Sequence, residues 1–486
     1  MKIAMTTLEP KSLWGNFKEL NSIPRASKKE EKVIAFMLEF AKRVGLEAQK
    51  DKVGNVLIRK AATAGMEDRK MVVLQSHLDM VHQKNADVDF DFDKQGIDMY
   101  VDGDWVKARG TTLGADNGIG VAAIMSLLES TDIAHPPLEA LFTIDEETGM
   151  TGAKGLQPNF LKGDILLNLD TEEDTEIDIG CAGGIDVTAR RTYTTEKAED
   201  GLRFFRLTVD GLQGGHSGMD IHKGLGNANK LIARLLFSLE EYGVRISTID
   251  GGGLRNAIPR EGVAVFACEE AKAEPLKARI EEVVSFIKQE YAIMEPTLRV
   301  DMEEVIDVVG GLVPVDVQNK LLRTLYVAPN GVYRMSAAFE DLVETSNNIA
   351  RVSVKDGEIV VKCLTRSSVE SSKMDLAETL KAGFELMGAE VMFTGDYPGW
   401  TPNPKSEILE VLTSLYTDMF GGKAEVVSCH AGLECGLLGR YYPDMEMISF
   451  GPTIRGAHSP QERVSISSVQ KFWGFLCAIL ENIPKK

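Results

Sequence analysis

The chain of 486 residues is too long for one ordinary hydrophobic core, so we expect two or three domains. Its 54 lysine and arginine residues against 73 acidic residues give a net charge of −19, which argues against nucleic acid or an anionic membrane as a partner. Six cysteines without a C-x-x-C pair favour a reducing compartment. Because we find no signal-peptide core and no run of about 18 apolar residues, we expect a soluble, unexported, cytoplasmic protein.

A capping-box signature near the N-terminus precedes the first long helical pattern. Ser27 and Glu30 stand three residues apart ahead of residues 32–45, and Gly45 ends the pattern. From there to about residue 180, apolar strand-like runs such as MVVLQS, LEALFTI and DILLNL alternate with helical patterns. Such alternation predicts a mostly parallel sheet with helices on both faces.

The pattern changes after residue 180, and a second set of strands and helices begins with the apolar run at 204–209. Residues 395–404 are rich in proline and glycine and predict a linker. The final stretch resembles the first part again. We therefore predict an α/β fold with a mostly parallel-sheet catalytic domain, residues 1–186 and 396–486, interrupted by an inserted α+β lid domain, residues 187–395.

Acidic residues and histidines follow several of the predicted strands. In an open α/β sheet the carboxyl ends of the strands lie along one edge, where ligand crevices form. Segments far apart in the sequence would therefore meet there. Taken singly, an acid at a strand end is more often a turn or a helix cap. The residues at these positions are His77, Asp79, Asp116, Asp145, Glu146, Glu147, Asp170 and His458.

Two histidines and several carboxylates on one edge form a donor set that suits a metal ion. Imidazole and carboxylate together suit Zn²⁺, and the carboxylates neutralise its charge. The acids outnumber the needs of one ion. A pair of divalent ions roughly 3.5–4 Å apart would use them, with one carboxylate bridging.

Several motifs together resemble a known family. GADNGIG, DEETG, LNLDTEE, GGHSG and GPTIRGAHSPQERV resemble the dizinc metallopeptidases of the aminoacylase and carboxypeptidase G2 kind. RGTTLGADNGIG, GCAGGID, LRNAIPRE and HAGLECG resemble more narrowly the aminoacyl-histidine dipeptidases, or bacterial carnosinases. The resemblance extends from about residue 10 to the end of the chain.

The resemblance implies a role for each candidate residue. Asp79 would orient His77 through the far ring nitrogen, and Asp116 would be followed by a cis peptide bond. Glu146 would be the general base, and His216 an oxyanion stabiliser. The implied metal ligands are His77 and Asp170 at one ion, Glu147 and His458 at the other, and Asp116 at both. The implied substrate-binding residues are Asn256 and Arg366, with His430 and Glu434 as candidates for the N-terminal side of the substrate.

We therefore predict a cytosolic dizinc metallodipeptidase that hydrolyses dipeptides of the Xaa-His type. Zinc is the expected metal, with cobalt or manganese as substitutes. The alternatives are an N-acyl amino acid deacylase or a tripeptidase of the same superfamily, and a non-catalytic binding protein on this scaffold. The sequence contains no G-x-S-x-G, H-E-x-x-H or Walker A pattern. A homodimer, and a His216 that acts on a neighbouring subunit, are left open.

Overall fold

The computed structural model describes residues 5–306 and 311–486, which form two compact units. Among the described residues, unit 1 comprises 5–180, 400–428 and 433–486, and unit 2 comprises 181–306, 311–399 and 429–432. In the part of the chain that the structure describes, no helix is long and apolar enough to cross a membrane.

The α-helices of the described residues range from 4 to 18 residues in length. In chain order they are α1 (Lys11–Leu20), α2 (Glu31–Arg43), α3 (Ala115–Glu129), α4 (Glu146–Gly149), α5 (Thr151–Gly155), α6 (Ala228–Phe237), α7 (Ala273–Glu290), α8 (Val315–Val327), α9 (Glu370–Leu386), α10 (Glu407–Phe420), α11 (Glu434–Tyr441) and α12 (Ile466–Glu481).

The strands belong to one main sheet in each unit and to two smaller sheets. In chain order they are β1 (Glu47–Lys50), β2 (Val56–Lys60), β3 (Val72–His77), β4 (Met99–Asp102), β5 (Trp105–Ala108), β6 (Leu138–Thr143), β7 (Ile165–Asn168), β8 (Glu176–Cys181), β9 (Gly183–Thr192), β10 (Leu202–Asp210), β11 (Gly215–His216), β12 (Arg245–Gly252), β13 (Ala257–Ile258), β14 (Gly262–Glu269), β15 (Arg299–Val305), β16 (Gly331–Met335), β17 (Val343–Lys355), β18 (Glu358–Ser367), β19 (Glu390–Tyr397), β20 (Glu425–Cys429), β21 (Glu446–Ser449), β22 (Ile454–Arg455) and β23 (Arg463–Ser465).

Unit 1 is built on a mixed sheet with strand order β1-β2-β6-β3-β7-β21-β8-β20. The four central strands, β6, β3, β7 and β21, run parallel, whereas β1 and β2 pair antiparallel at one side. Every residue of β3, β6 and β7 is buried, as expected for strands covered on both faces. Helix α3 is apolar on nearly all sides and contacts β3 and α1. The predicted α/β class and parallel centre are confirmed.

Unit 2 contains an antiparallel sheet with strand order β15-β10-β14-β12-β17-β18-β9-β19, and β16 pairs with β17 outside this path. Helices α6, α7, α8 and α9 cover a single apolar core with this sheet. The predicted boundaries at 186/187 and 395/396 fall inside β9 and β19.

The predicted capping box at the second helix is wrong. Helix α2 begins at Glu31 with Glu30 at its cap position, and no side-chain cap is made there. The Ser27 hydroxyl instead donates a hydrogen bond to Asp79 Oδ2 at 2.8 Å. Because the helix begins four residues after Ser27, this serine is not at the cap position. Its hydroxyl donates instead to a carboxylate, which is a strong acceptor.

Candidate metal centre

The strand registers of unit 1 explain why the candidate ligands meet. In the parallel pairs, His77 at the end of β3 lies opposite Thr143 at the end of β6, and Gln75 lies opposite Asn168 at the end of β7. The residues that follow these three strand ends therefore lie at one edge of the sheet. His77, Asp145 to Glu147 and Asp170 all come from there. His458 comes from the segment between β22 and β23, and Asp116 from the first turn of α3.

Asp116 faces two sets of donors, one with each carboxylate oxygen. His77 Nε2 lies 3.1 Å from Asp116 Oδ1 and 3.5 Å from Asp170 Oδ1. His458 Nε2 lies 3.1 Å from Asp116 Oδ2 and 2.9 Å from Glu147 Oε2. The two groups that could hold an ion are thus His77, Asp116 and Asp170, and Asp116, Glu147 and His458.

These residues fit a divalent cation. Nitrogen and oxygen ligands at about 2.0–2.2 Å from a tetrahedral ion lie roughly 3.3 Å from one another, which is close to the observed donor separations. Glu147 Oε1 and Asp170 Oδ1 are buried and have no hydrogen-bond partner. Buried carboxylate oxygens are costly without a partner or a metal, so the donor chemistry and the unpaired oxygens both favour a bound cation.

The carboxylates of the cluster favour positive charge on the two histidines beside them. Burial disfavours the imidazolium form of His77, yet the neighbouring Asp170 and Asp116 carboxylates outweigh it and raise the His77 pKa well above its usual value. Hydrogen bonds to Asp116 and Glu147 raise the pKa of His458 to about 11. Burial raises the pKa of Asp170 and of Glu147. Without an ion, the two histidines thus supply the positive charge that the carboxylates require.

Asp79 fixes the first histidine and both glutamates at once. Its Oδ1 lies 3.3 Å from His77 Nδ1 and accepts the Glu146 backbone N–H at 3.0 Å. Its Oδ2 accepts the Glu147 backbone N–H at 3.3 Å. Burial opposes its charge, but the hydrogen bond to His77 holds the Asp79 pKa below its usual value. A carboxylate at the far ring nitrogen keeps Nε2 free for a metal.

Two residues that the sequence analysis missed hold the Asp116 loop. Buried Glu462 accepts four backbone N–H groups in succession, from residues 113 to 116, at 2.7–3.2 Å. Buried Arg25 donates to the carbonyls of Leu78, Asp79 and Gly114. Glu462 stands four residues after His458, which is the one local signal that could have indicated it. Arg25 offers no such signal.

The peptide bond that follows Asp116 is cis, as the resemblance implies. The Asn117 side chain donates to the Leu169 carbonyl at 2.5 Å, next to Asp170. The loop that carries Asp116 is therefore tied both to the segment of His458 and to the end of β7.

Glu146 has the surroundings of a proton acceptor. Burial, followed by the charges of Asp170, Glu434 and Glu147, raises its pKa well above the usual value of a glutamate. A carboxyl group whose pKa is raised in this way is typical of general bases.

Glu434, the acidic candidate for substrate binding, is buried in unit 1. Its Oε2 accepts hydrogen bonds from Gln75 and Thr143, its Oε1 has no partner, and burial raises its pKa to about 7. Its fellow candidate His430 belongs to unit 2.

His216 in unit 2 is held as a neutral hydrogen-bond donor. The backbone N–H groups of Gly218 and Met219 donate to its Nδ1 at 3.2 and 3.0 Å. Because Nδ1 accepts, the proton of the neutral ring resides on Nε2. Burial, followed by the charge of Arg366, lowers the His216 pKa and keeps the ring neutral.

The other candidates of unit 2 lie near His216 in the fold. Asn256 is exposed and precedes Ala257, which pairs with His216 across β11 and β13. His430 Nε2 lies 2.8 Å from the Ser346 hydroxyl, and burial, followed by the charge of Arg366, lowers its pKa to about 3. Arg366 is buried, and its Nε has no hydrogen-bond partner.

Known proteins resemble this chain over its whole length. It is 45% identical over 483 residues to the cytosol non-specific dipeptidase of Escherichia coli (strain K12), covering 99% of both chains. The crystal structure of aminoacylhistidine dipeptidase from Vibrio alginolyticus matches with a TM-score of 0.95 and 44% identity, covering 100% of this chain and 99% of the other.

A more distant structure shows the same fold. Aminopeptidase PepT from Bacillus cereus matches with a TM-score of 0.58 and 14% identity over 99% of this chain and 100% of its own. Residues 73–482 match the sequence profile described as peptidase family M20/M25/M40. With the match to this profile and the 45% identity to a peptidase, the protein belongs to peptidase family M20/M25/M40.

Proposed function

We propose that the protein is a metal-dependent dipeptidase of the cytosol that uses two divalent ions. The observation that carries the proposal is the arrangement at Asp116, whose two oxygens each face a separate histidine and carboxylate. The names of the two full-length relatives, a cytosol non-specific dipeptidase and an aminoacylhistidine dipeptidase, support the substrate class and the compartment.

The metal ligands proposed from the sequence are His77 and Asp170 for one ion, Glu147 and His458 for the other, and Asp116 for both. Zinc suits this mixture of imidazole and carboxylate donors. Bound ions of this kind polarise the scissile carbonyl and lower the pKa of a water molecule towards about 7.

Glu146 is the proposed general base. Its carboxylate takes a proton from the attacking water and later returns that proton to the leaving amine nitrogen. Asp79 holds the Glu146 and Glu147 backbone, so the base and the ligand keep a constant separation. The two adjacent glutamates therefore have different proposed functions, Glu146 as the base and Glu147 as a metal ligand.

His216 is the proposed donor to the oxyanion that develops on the substrate carbonyl. Its Nε2–H suits that role because Nδ1 is occupied as an acceptor. Arg366 is proposed to bind the free carboxylate of the dipeptide, together with Asn256. His430 and Glu434 are proposed for the N-terminal side. Of these residues, His216, Asn256, Arg366 and His430 belong to unit 2. A substrate held by them would make that unit a lid, which closes as the substrate is bound.

The substrate class is tested by comparing four compounds on the zinc-loaded protein. These are an Xaa-His dipeptide, a dipeptide without histidine, the N-acetylated Xaa-His compound and a tripeptide. We expect cleavage of the Xaa-His dipeptide, at least tenfold slower cleavage of the dipeptide without histidine, and little cleavage of the other two compounds. Equal cleavage of both dipeptides would make the enzyme non-specific, and preferred cleavage of the acetylated compound or the tripeptide would support a deacylase or a tripeptidase.

Asp116→Ala should remove both ions, because each ion would lose the ligand that they share. Asp170→Ala should remove one ion and retain the other. Metal content by elemental analysis, after purification without chelator, checks both variants against wild type, for which we expect close to two ions per chain. A single ion that survives Asp116→Ala would contradict the shared ligand.

Glu146→Gln keeps the shape of the side chain and removes the base. We expect its turnover to fall about 10²–10⁴-fold with metal content unchanged. Glu410→Gln, on the exposed face of α10, is the matched control and should behave as wild type. Turnover close to wild type for Glu146→Gln would assign the base to another group.

His216→Ala should lower kcat by about 10²–10³-fold, as expected for the loss of one oxyanion donor, with metal content unchanged. The exposed His222 of the same unit supplies the control variant, His222→Ala. An unchanged kcat for His216→Ala would refute the oxyanion role. Mixing inactive His216→Ala with inactive Glu146→Gln separates the two placements of His216, since activity returns only if the histidine serves a neighbouring subunit.

A further inference from the structure

Arg366 of unit 2 is a buried guanidinium that makes no direct ion pair; Asp186, which interacts with its charge, is paired with Arg255 at 3.1 Å. It is 4% exposed, and no carboxylate among the described residues lies within ion-pair distance of it. Its one side-chain partner is the Tyr397 hydroxyl, to which Nη1 donates at 2.8 Å. Its Nε has no partner. An unpaired buried charge is costly, so the guanidinium is arranged for a ligand that supplies the anion.

The tyrosine reaches Arg366 across an intervening strand. Arg366 on β18 and Tyr397 on β19 are both register partners of Gly184 on β9, one on each side. Residues directly opposite each other in a sheet project to the same face. The Tyr397 ring therefore crosses β9 at Gly184. A Cβ atom at residue 184 would lie 2.6 Å from the Tyr397 hydroxyl oxygen, so only glycine leaves room for the phenol.

The backbone of Tyr397 is held by a second buried charge. Lys373 of α9, whose side chain is 0% exposed, donates to the Tyr397 carbonyl at 2.8 Å and pairs with Asp396 at 2.7 Å and Glu370 at 3.0 Å. The register of β19 shifts between Thr394 and Tyr397. Lys373 thus stabilises the irregular strand end that brings Tyr397 opposite Gly184.

We propose that Tyr397 is a positioning residue that orients the Arg366 guanidinium towards the free carboxylate of a peptide substrate. With Nη1 engaged by the tyrosine, the edge formed by Nε and Nη2 keeps a donor, Nε, that has no hydrogen-bond partner. That edge matches a carboxylate through two parallel hydrogen bonds. The inference rests on the proposed function, in which Arg366 binds this carboxylate, and adds the residue that sets its orientation.

The test uses Tyr397→Phe, which keeps the ring and removes the hydroxyl. We expect KM for a dipeptide to rise about tenfold, as for loss of one hydrogen bond to a charged group, with kcat and metal content unchanged. For the same dipeptide with an amidated C-terminus, the variant should equal wild type. Tyr193→Phe, at a partly buried tyrosine of the same unit, is the matched control and should leave both substrates unaffected.

Two further variants keep the result decisive. Gly184→Ala should displace the Tyr397 ring and reproduce the KM increase. In the double variant with Tyr397→Phe, KM should rise no further than in either single variant. If Tyr397→Phe fails to fold, Gly184→Ala is measured in its place. In an Arg366→Met background, Tyr397→Phe should have no further effect, since the two residues act as a unit. A wild-type KM in Tyr397→Phe, beside a raised KM in Arg366→Met, would overturn the positioning role alone. An unchanged KM in Arg366→Met would overturn the proposed function of Arg366 and, with it, this inference.

Discussion

One constraint shapes the loops of unit 1: carboxylates that repel one another are buried together at one edge of its sheet. Asp116, Asp170 and Glu147 approach two imidazoles at 2.9–3.5 Å, and two of their oxygens have no hydrogen-bond partner. Such a cluster is unfavourable unless positive charge neutralises it, whether from the two imidazoles or from a bound cation. The surrounding structure must therefore hold like charges together before any ion is bound, which is the condition for a preformed metal site.

Three buried charged residues meet this condition by hydrogen bonding to the backbone of the loops that carry these side chains. Asp79 accepts N–H groups of the two glutamates, Glu462 accepts those of the loop that carries Asp116, and Arg25 donates to carbonyls at the end of β3 and at Gly114. Charge-assisted hydrogen bonds to backbone are short and directional. They fix the loops, and the loops in turn set the positions of the candidate ligand side chains.

In unit 2 the buried charged groups are cations, and hydrogen bonds again fix their positions. Arg366 and Lys373 are both buried cations, but they differ in what balances them. Lys373 has two carboxylates and a carbonyl, and it is therefore structural. Arg366 has a phenol, a neutral partner that orients the guanidinium without consuming its charge. His216 is likewise committed as an acceptor at Nδ1 and remains a donor at Nε2. Arg366 thus keeps its charge, and His216 keeps its Nε2–H donor.

The sequence by itself determined the α/β class, the parallel strands of unit 1 and the chemical character of the candidate site, because apolar strands and the acids and histidines that follow them are local patterns. It also indicated the family through its motifs. Only the tertiary structure decided that Ser27 binds Asp79 instead of capping a helix, that Glu462 and Arg25 hold the Asp116 loop, and that the Tyr397 ring crosses β9 at Gly184. These contacts join residues tens to hundreds of positions apart. They follow from strand register and from the need of each buried charge for a partner, neither of which a local pattern contains.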